Sequence, residues 1–393
     1  MVVIRRVAFL SVHTSPLAAP GSGDAGGMNV YVDSLARTLA ARDVQVDVFT
    51  ARGDDGFDQV TEVVPGYRVV HVDSPGRDRA ERIGSFAEGV AKWAAGEGAD
   101  YDVLHSHYWL SAWAGVLLET VLDAALAISF HTLGRVRDVG SGEPPQPLTR
   151  IAAETEVIAR AGCVVASTPV EAADLIEHYG ARPERVCVTP PGVDHSLFGP
   201  GEADVARAVL GLPPGPTAAV VGRIQPLKGI DLAIRAIASL PPVRLLVVGG
   251  PSGPAGEFEL VALRSLAADL APGRIEFMEP LPHAEVADVY RAVDVLVVPS
   301  LAESFGLVAV EAQACGIPVV AARVGGLGFS VAEGRSGLLV DGNDPSAWAA
   351  ALGSVLFDEV EAARLAAGAL AHAEHFSWEI TGSRLLELYR GLA

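Results

Sequence analysis

The strongest constraint in this 393-residue sequence is a rhythm: a short run of Val, Ile and Leu, then a longer Ala-rich stretch with helical spacing, repeated along the chain. The first half offers RRVAFLSVH, VQVDVFTA, YRVVHVD, YDVLHSH, LAISFHT, CVVAST and RVCVTPPG as strands; the second offers AAVVGR, VRLLVVGG, RIEFMEP, VDVLVVPS and IPVVAAR. These runs are apolar on both faces, so each face needs a cover, and the intervening helices supply it. That combination specifies parallel sheets in an α/β architecture. The chain is too long for one ordinary core. The rhythm pauses in PPGVDHSLFGPGEAD, where Pro and Gly cluster, and the break is placed near Phe198. Two doubly wound, Rossmann-like domains facing across a cleft are expected, an N-terminal one over residues 1–197 and a C-terminal one over 198–375. Loops beyond the carboxyl ends of such strands bind ligands, so the chemistry should sit just after strands.

Charge narrows the partners. The formal charge is −19 and no basic tail or stripe offsets it, which argues against sequence-independent binding to nucleic acid or to an anionic membrane. Small molecules are the expected partners, and any anion must bind in a local basic pocket. Cys163, Cys187 and Cys315 lie in apolar runs without metal-ligand spacing, the pattern of buried free thiols in a reducing compartment. MVVIRRVAFLSVHT has a short apolar run broken by His13 and no small-residue exit, so it is a first strand and not a signal. Trp109 to Phe130 contains Glu119 and Asp123, which fits a helix followed by a strand better than a membrane span. A soluble, cytoplasmic protein is expected, and a homodimer is compatible with the sequence.

Gly21 to Gly26, GSGDAG, is formally a G-x-G-x-x-G. In the dinucleotide fingerprint the first glycine follows the strand directly and an acidic residue ends the next strand. Here HTSPLAAP intervenes and Asp47 sits inside its strand, so a nicotinamide site is the weaker reading, and a plain surface loop is another. Against the plain loop, GGMN leads straight into a helix whose first amides have no partners, an arrangement suited to phosphate.

Of the 29 basic residues only Lys92 and Lys228 are lysines. Lys92 fits a solvated helix face. Lys228 follows a strand in VGRIQPLKG, together with Arg223, and a rigid guanidinium fork beside a compact ammonium makes a clamp for a diphosphate, the alternative being an ordinary charged loop. In AESFGLVAVEAQACG, Glu303 precedes a helix and Glu311 lies on it about two turns on, so both can share a face. Amides at that helix start suit phosphate oxygens and carboxylates suit sugar hydroxyls; a capping Glu beside a solvated Glu is the competing reading. His107 and His131 follow strands, but no Ser or Cys forms a nucleophile elbow with them, and no closed metal-ligand set is present.

HTSPLAAPGSGDAGGMNVYV, HSHYWLS, FHTLG, PPGVD, VGRIQPLKG, GGPSGP, ESFGLVAVEAQACGIPVVAARVGG and the closing FSW together resemble the retaining GT-B glycosyltransferases of family 4. The likeness is strongest to the branch that joins N-acetylglucosamine from UDP-GlcNAc to a phosphorylated inositol in mycothiol biosynthesis. The resemblance implies a UDP-sugar donor, a cyclitol acceptor, and no cofactor or metal. By the same resemblance, Gly26 and Gly27 approach the donor diphosphate with the amide run Ser304, Phe305, Gly306 and Leu307. Arg223 and Lys228 neutralise the leaving group, Glu311 binds the ribose, Glu303 orients the transferred sugar, and His131 contacts it near the reacting centre. Asn29, Tyr108, Thr132 and Arg150 hold the acceptor, and residues 376–393 form a helix crossing back to the first domain.

The chain departs from that family on the acceptor side. A lysine expected after HVDSPG is absent, with Arg77, Arg79 and Arg82 nearby instead, and Gly328 and Phe130 also differ from the usual pattern. A relative acting on an aminocyclitol or other polyol therefore stays open, as does a non-catalytic sugar-nucleotide binder.

Overall fold

The computed structural model describes residues 2–21, 23–53, 56–138, 146–253 and 255–393; Ser22 of the glycine loop and Pro254 of GGPSGP lie outside them. Among the described residues fourteen strands form two sheets. The first holds β1 (Arg6–Leu10), β2 (Gln45–Ala51), β3 (Val60–Val64), β4 (Tyr67–Val72), β5 (Val103–His107), β6 (Ala125–Ser129), β7 (Cys163–Ala166) and β8 (Val186–Val188), in the order β3-β4-β2-β1-β5-β6-β7-β8. The second holds β9 (Thr217–Val221), β10 (Arg244–Val248), β11 (Ile275–Met278), β12 (Val295–Val298), β13 (Val319–Ala322) and β14 (Gly337–Val340), in the order β11-β10-β9-β12-β13-β14. In each sheet the strand order reverses beside the first strand, at β1/β5 and at β9/β12, which opens a crevice at their carboxyl ends.

The central strands are buried along their length, as in VLHSH of β5 and VLVV of β12, because helices cover both faces. Helix ends are set by local chemistry. The helix Pro169–Tyr179 starts on the Thr168 cap, which accepts from the Glu171 amide, and stops at Gly180 with φ 67°. The helix Gly27–Ala40 turns Tyr31, Val32, Leu35, Ala36 and Leu39 inward, one stripe at helical spacing.

Two strands were not expected from the sequence, and one corrects the all-parallel reading. β3 runs antiparallel to β4 through the Pro65–Gly66 turn; it is a half-buried edge strand, so it lacks the continuous apolar run of its neighbours. β14 is a four-residue strand between glycine turns. The thiols are free, but only Cys163 and Cys315 are buried; Cys187 is half-buried because β8 is the sheet edge.

After β8 the chain passes to the second sheet, and it returns at Phe376–Ser377. There Val193 bridges Ser377, and a Cβ on Gly192 would lie 2.2 Å from the Trp378 nitrogen, so only glycine allows the two crossings to touch. Ser377 caps the last helix, Trp378–Leu392, whose Trp378, Leu385, Leu386 and Tyr389 share a core with Val7, Phe9, Tyr31 and Val103 of the first sheet's layer. No helix among the described residues is long and apolar enough to cross a membrane.

Candidate active site

A cleft of about 510 Å³ opens between the carboxyl ends of the two sheets. Its walls include Gly26, Gly27, Asn29, Tyr108, His131 and Thr132 from the first half, and Arg223, Lys228, Glu303, Ser304, Phe305, Gly306, Leu307 and Glu311 from the second. Arg150, the remaining acceptor candidate, lies behind the wall.

The glycines matter because the two halves touch across them. A Cβ on Gly26 would stand 3.1 Å from Arg223 Nε, and one on Gly27 would stand 3.3 Å from Leu307 Cδ1. The Gly250 amide donates to the Gly21 carbonyl at 3.1 Å, and Ser304 Oγ–H donates to the His131 carbonyl at 2.5 Å. Asn29 holds the loop in place. Its Oδ1 accepts from the Gly26 amide at 2.9 Å, while Nδ2 donates to Thr14 Oγ1 at 3.0 Å and to the Ser15 carbonyl at 2.6 Å. The buried Asn29 amide is thus engaged by the protein, a role that sequence spacing did not reveal.

On the second half, Lys228 Nζ lies 2.6 Å from Glu303 Oε2. Arg223 reaches toward the Asp24 carbonyl and Ser252 Oγ, at 3.4 and 3.5 Å. The helix Leu307–Ala314 begins at Gly306, whose φ of 91° turns the chain so that the first helical amides border the cleft. Glu311 is buried and doubly held: Oε1 pairs with His283 Nε2 and Oε2 accepts from Tyr290 O–H, each at 2.8 Å. Burial would depress the His283 pKa, but the Glu311 charge and hydrogen bond, with Asp194 and Asp33 beyond, raise it above its ordinary value.

On the first half, His131 and Tyr108 both have positive φ, 60° and 74°, an uncommon state for residues with a Cβ and one that aims each at the cleft from a strand end. Burial lowers the His131 pKa to about 3, with His13 adding to the fall, so its imidazole is neutral at ordinary pH. His13, which the sequence reading passed over, also lines the cleft; burial lowers it to about 4, with Asp24 opposing and Arg223 reinforcing. Its position just after β1 was the available signal, and the same rule points to His283 after β11.

Arg150 is buried and its donors are taken: Nε by Glu154 Oε1 at 2.7 Å, Nη1 by Gln146 at 2.9 Å, Nη2 by the Thr132 carbonyl at 2.9 Å. Its guanidinium carbon sits 5.2 Å from the centre of the Tyr108 ring. None of the side chains described on the first-half wall of the cleft is a lysine or arginine; the Arg137 side chain lies outside the described ones. Arg77 pairs with Glu81 at 2.7 Å, and the Arg79 guanidinium lies 5.3 Å from the Trp109 ring centre. Asp47 is buried, bonded by Arg68 at 2.8 Å and by Tyr101 at 2.7 Å, and so is not presented to a nucleotide ribose.

Residues 25–197 match the family model described as Glycosyltransferase Family 4, and residues 204–371 match the one described as Glycosyl transferases group 1. The D-inositol 3-phosphate glycosyltransferase of Rhodococcus opacus (strain B4) is 46% identical over 98% of this chain and 90% of its own length. The chain belongs to glycosyltransferase family 4. The protein of the same description from Thermomonospora curvata is also 46% identical to this glycosyltransferase, over 99% of the chain and 96% of its own length. Among solved structures, sucrose-phosphate synthase (tll1590) from Thermosynechococcus elongatus superposes with a TM-score of 0.91 at 34% identity, covering 99% of both chains. Anabaena HepE in complex with UDP and glucose gives 0.82 at 21% identity, covering 99% of this chain and 100% of its own, a likeness of fold alone. The glycosyltransferase therefore has the GT-B architecture, two parallel-sheet domains around a cleft.

Proposed function

We propose that this glycosyltransferase transfers a sugar, N-acetylglucosamine in the first instance, from a UDP-sugar to a cyclitol such as an inositol phosphate, with retention at the anomeric carbon. The observation that carries the reading is the convergence of Arg223, Lys228 and the first amides of the helix Leu307–Ala314 on one wall of the interdomain cleft. Breaking the bond between the anomeric carbon and the phosphate oxygen sends an electron pair to the departing UDP. Fixed cations and amides aimed at that charge stabilise it without having to reorganise.

The remaining roles follow from donor and acceptor chemistry. Glu311 already accepts from two neighbours, yet a carboxylate offers about four lone-pair sites, which leaves room for ribose hydroxyls. Glu303 keeps Oε1 for a hydroxyl of the transferred sugar while Lys228 holds Oε2. The acceptor hydroxyl attacks on the face the leaving group departs from, its oxygen bonds to the anomeric carbon, and its proton passes to a phosphate oxygen of UDP. No separate base is required. Asn29, Tyr108 and Thr132 shape the acceptor end, and Arg150 acts there through Tyr108 and Thr132.

A second reading of the acceptor is favoured by one observation. Arg150 lies behind the wall with its charge balanced by Glu154 and its donors engaged by the protein, so a polyol without a phosphate also fits. One assay separates the readings: UDP release and product mass with UDP-GlcNAc or UDP-glucose against inositol 3-phosphate, free inositol and aminocyclitols. Turnover with a cyclitol and either donor supports the main proposal. Absence of UDP release with every pair would reject it in favour of a non-catalytic binder.

A further inference from the structure

His107 and His131 stand at the ends of adjacent strands, β5 and β6, with His107 Nδ1 3.1 Å from His131 Nε2. Both rings are neutral: burial lowers each pKa, most strongly at His107, where His105 and His131 add to the fall. One proton therefore lies between the two nitrogens, and its owner decides both tautomers. If His131 owned it, the His107 proton would sit on Nε2, a buried atom with no hydrogen-bond partner among the described residues. That would orphan an N–H donor in the core, the rarer and costlier kind of unpaired group. If His107 Nδ1 owns it, Nε2 is left as a bare lone pair, and His131 must carry its own proton on Nδ1. His131 Nδ1 has no partner among the described residues and is not among the fully buried unpaired atoms, so it opens onto the cleft that His131 lines.

We infer that His107 is a positioning residue for sugar transfer: its Nδ1–H donates to His131 Nε2, fixes His131 as the Nδ1–H tautomer, and so turns a hydrogen-bond donor toward the sugar bound in the cleft. The inference rests on the proposed contact between His131 and the transferred sugar. It adds a cause for the orientation of that contact, because a ring free to exchange tautomers would offer a sugar hydroxyl a lone pair part of the time. The hydrogen bond from Ser304 to the His131 carbonyl and the positive φ at His131 fix the same residue from its backbone side.

The test is a two-bond proton–nitrogen correlation spectrum of 15N-histidine-labelled enzyme at neutral pH, with the His131 ring assigned through His131→Gln. The Nδ1–H pattern at His131 is expected, and the Nε2–H pattern overturns the inference. The spectrum needs no substrate, so a wrong donor or acceptor cannot be mistaken for its failure. Kinetics add the functional arm. His107→Leu should lower kcat about tenfold while donor KM moves less than about twofold, the size of one lost hydrogen bond to a neutral group. His107→Asn, whose amide can donate to the same nitrogen, should keep the Nδ1–H pattern and recover kcat to within about threefold. A His107→Leu enzyme with unaltered kcat and an unaltered His131 spectrum also overturns it.

Discussion

Lys228 Nζ lies 2.6 Å from Glu303 Oε2, tying the loop after β9 to the loop after β12 on one wall of the cleft. Both side chains keep about a fifth of their surface exposed, at 24% and 18%, so the ammonium is held in place and still reaches the open space. Lys228 therefore arrives at the proposed diphosphate already oriented by Glu303.

Replacing Lys228 with Ala should reduce kcat by about 10²–10³-fold, the usual loss on removing one group aimed at developing charge. Donor KM should shift only severalfold, because the contact strengthens as the bond to the sugar breaks. Single-turnover and steady-state kinetics with the UDP-sugar decide it: a rise in KM with kcat intact would show that the lysine only binds the ground state.

Arg150 and Glu154 form a buried pair with side-chain exposures of 3% and 0%. Glu154 also accepts from Tyr179 O–H and the Gly134 amide. Arg150→Ala leaves that carboxylate uncompensated and should cost about 3–5 kcal/mol of stability by urea unfolding. Arg150→Met combined with Glu154→Gln should recover most of the loss. If the double variant is stable and its acceptor KM is unchanged, Arg150 has no part in acceptor recognition.

The twelve strands expected from the sequence all form, because a run such as VLVV is apolar at successive positions and announces burial on both faces without help from context. β3 was illegible by that rule, its VTEVV being an edge strand with one wet side, although the following Pro65–Gly66 turn pointed to a hairpin. The site divides in the same way. Gly26, Lys228 and Glu311 were visible as residue types at strand ends or on a helix face, and they line one cleft. The partners that hold them were not. Asn29 bonding back to Thr14, or Tyr290 donating to Glu311, depends on the packing of elements distant in sequence, and no spacing rule encodes it.

The Glu311–His283 pair should make stability depend on pH. The folded His283 pKa is raised, so its contribution is fully present below the unfolded value of about 6.5 and fades as pH climbs through the folded value. Thermal unfolding should show a Tm that falls across that window for the wild type. His283→Gln should be less stable than wild type near pH 6 and approach it near pH 8.5, pH values chosen to bracket the transition. Parallel curves for the two proteins would show that the imidazole stays neutral in the fold.

Ser304 and His131 belong to different domains, and the hydrogen bond from Ser304 Oγ to the His131 carbonyl is one of three direct polar links across the cleft described above, the others joining Gly250 to Gly21 and Arg223 to the Asp24 carbonyl. Removing one such bond costs about 1 kcal/mol net, which is about fivefold in a closed-to-open equilibrium. Ser304→Ala should therefore enlarge the radius of gyration measured by small-angle scattering in the presence of UDP and lower kcat about fivefold, while urea unfolding changes by less than about 1 kcal/mol. The effects must move together, since the bond acts on chemistry only by keeping the His131 side of the cleft against the Leu307 side. A slower enzyme with unchanged scattering would mean that Ser304 contacts the donor itself, and a larger radius with unchanged kcat would mean that closure is complete before the slow step.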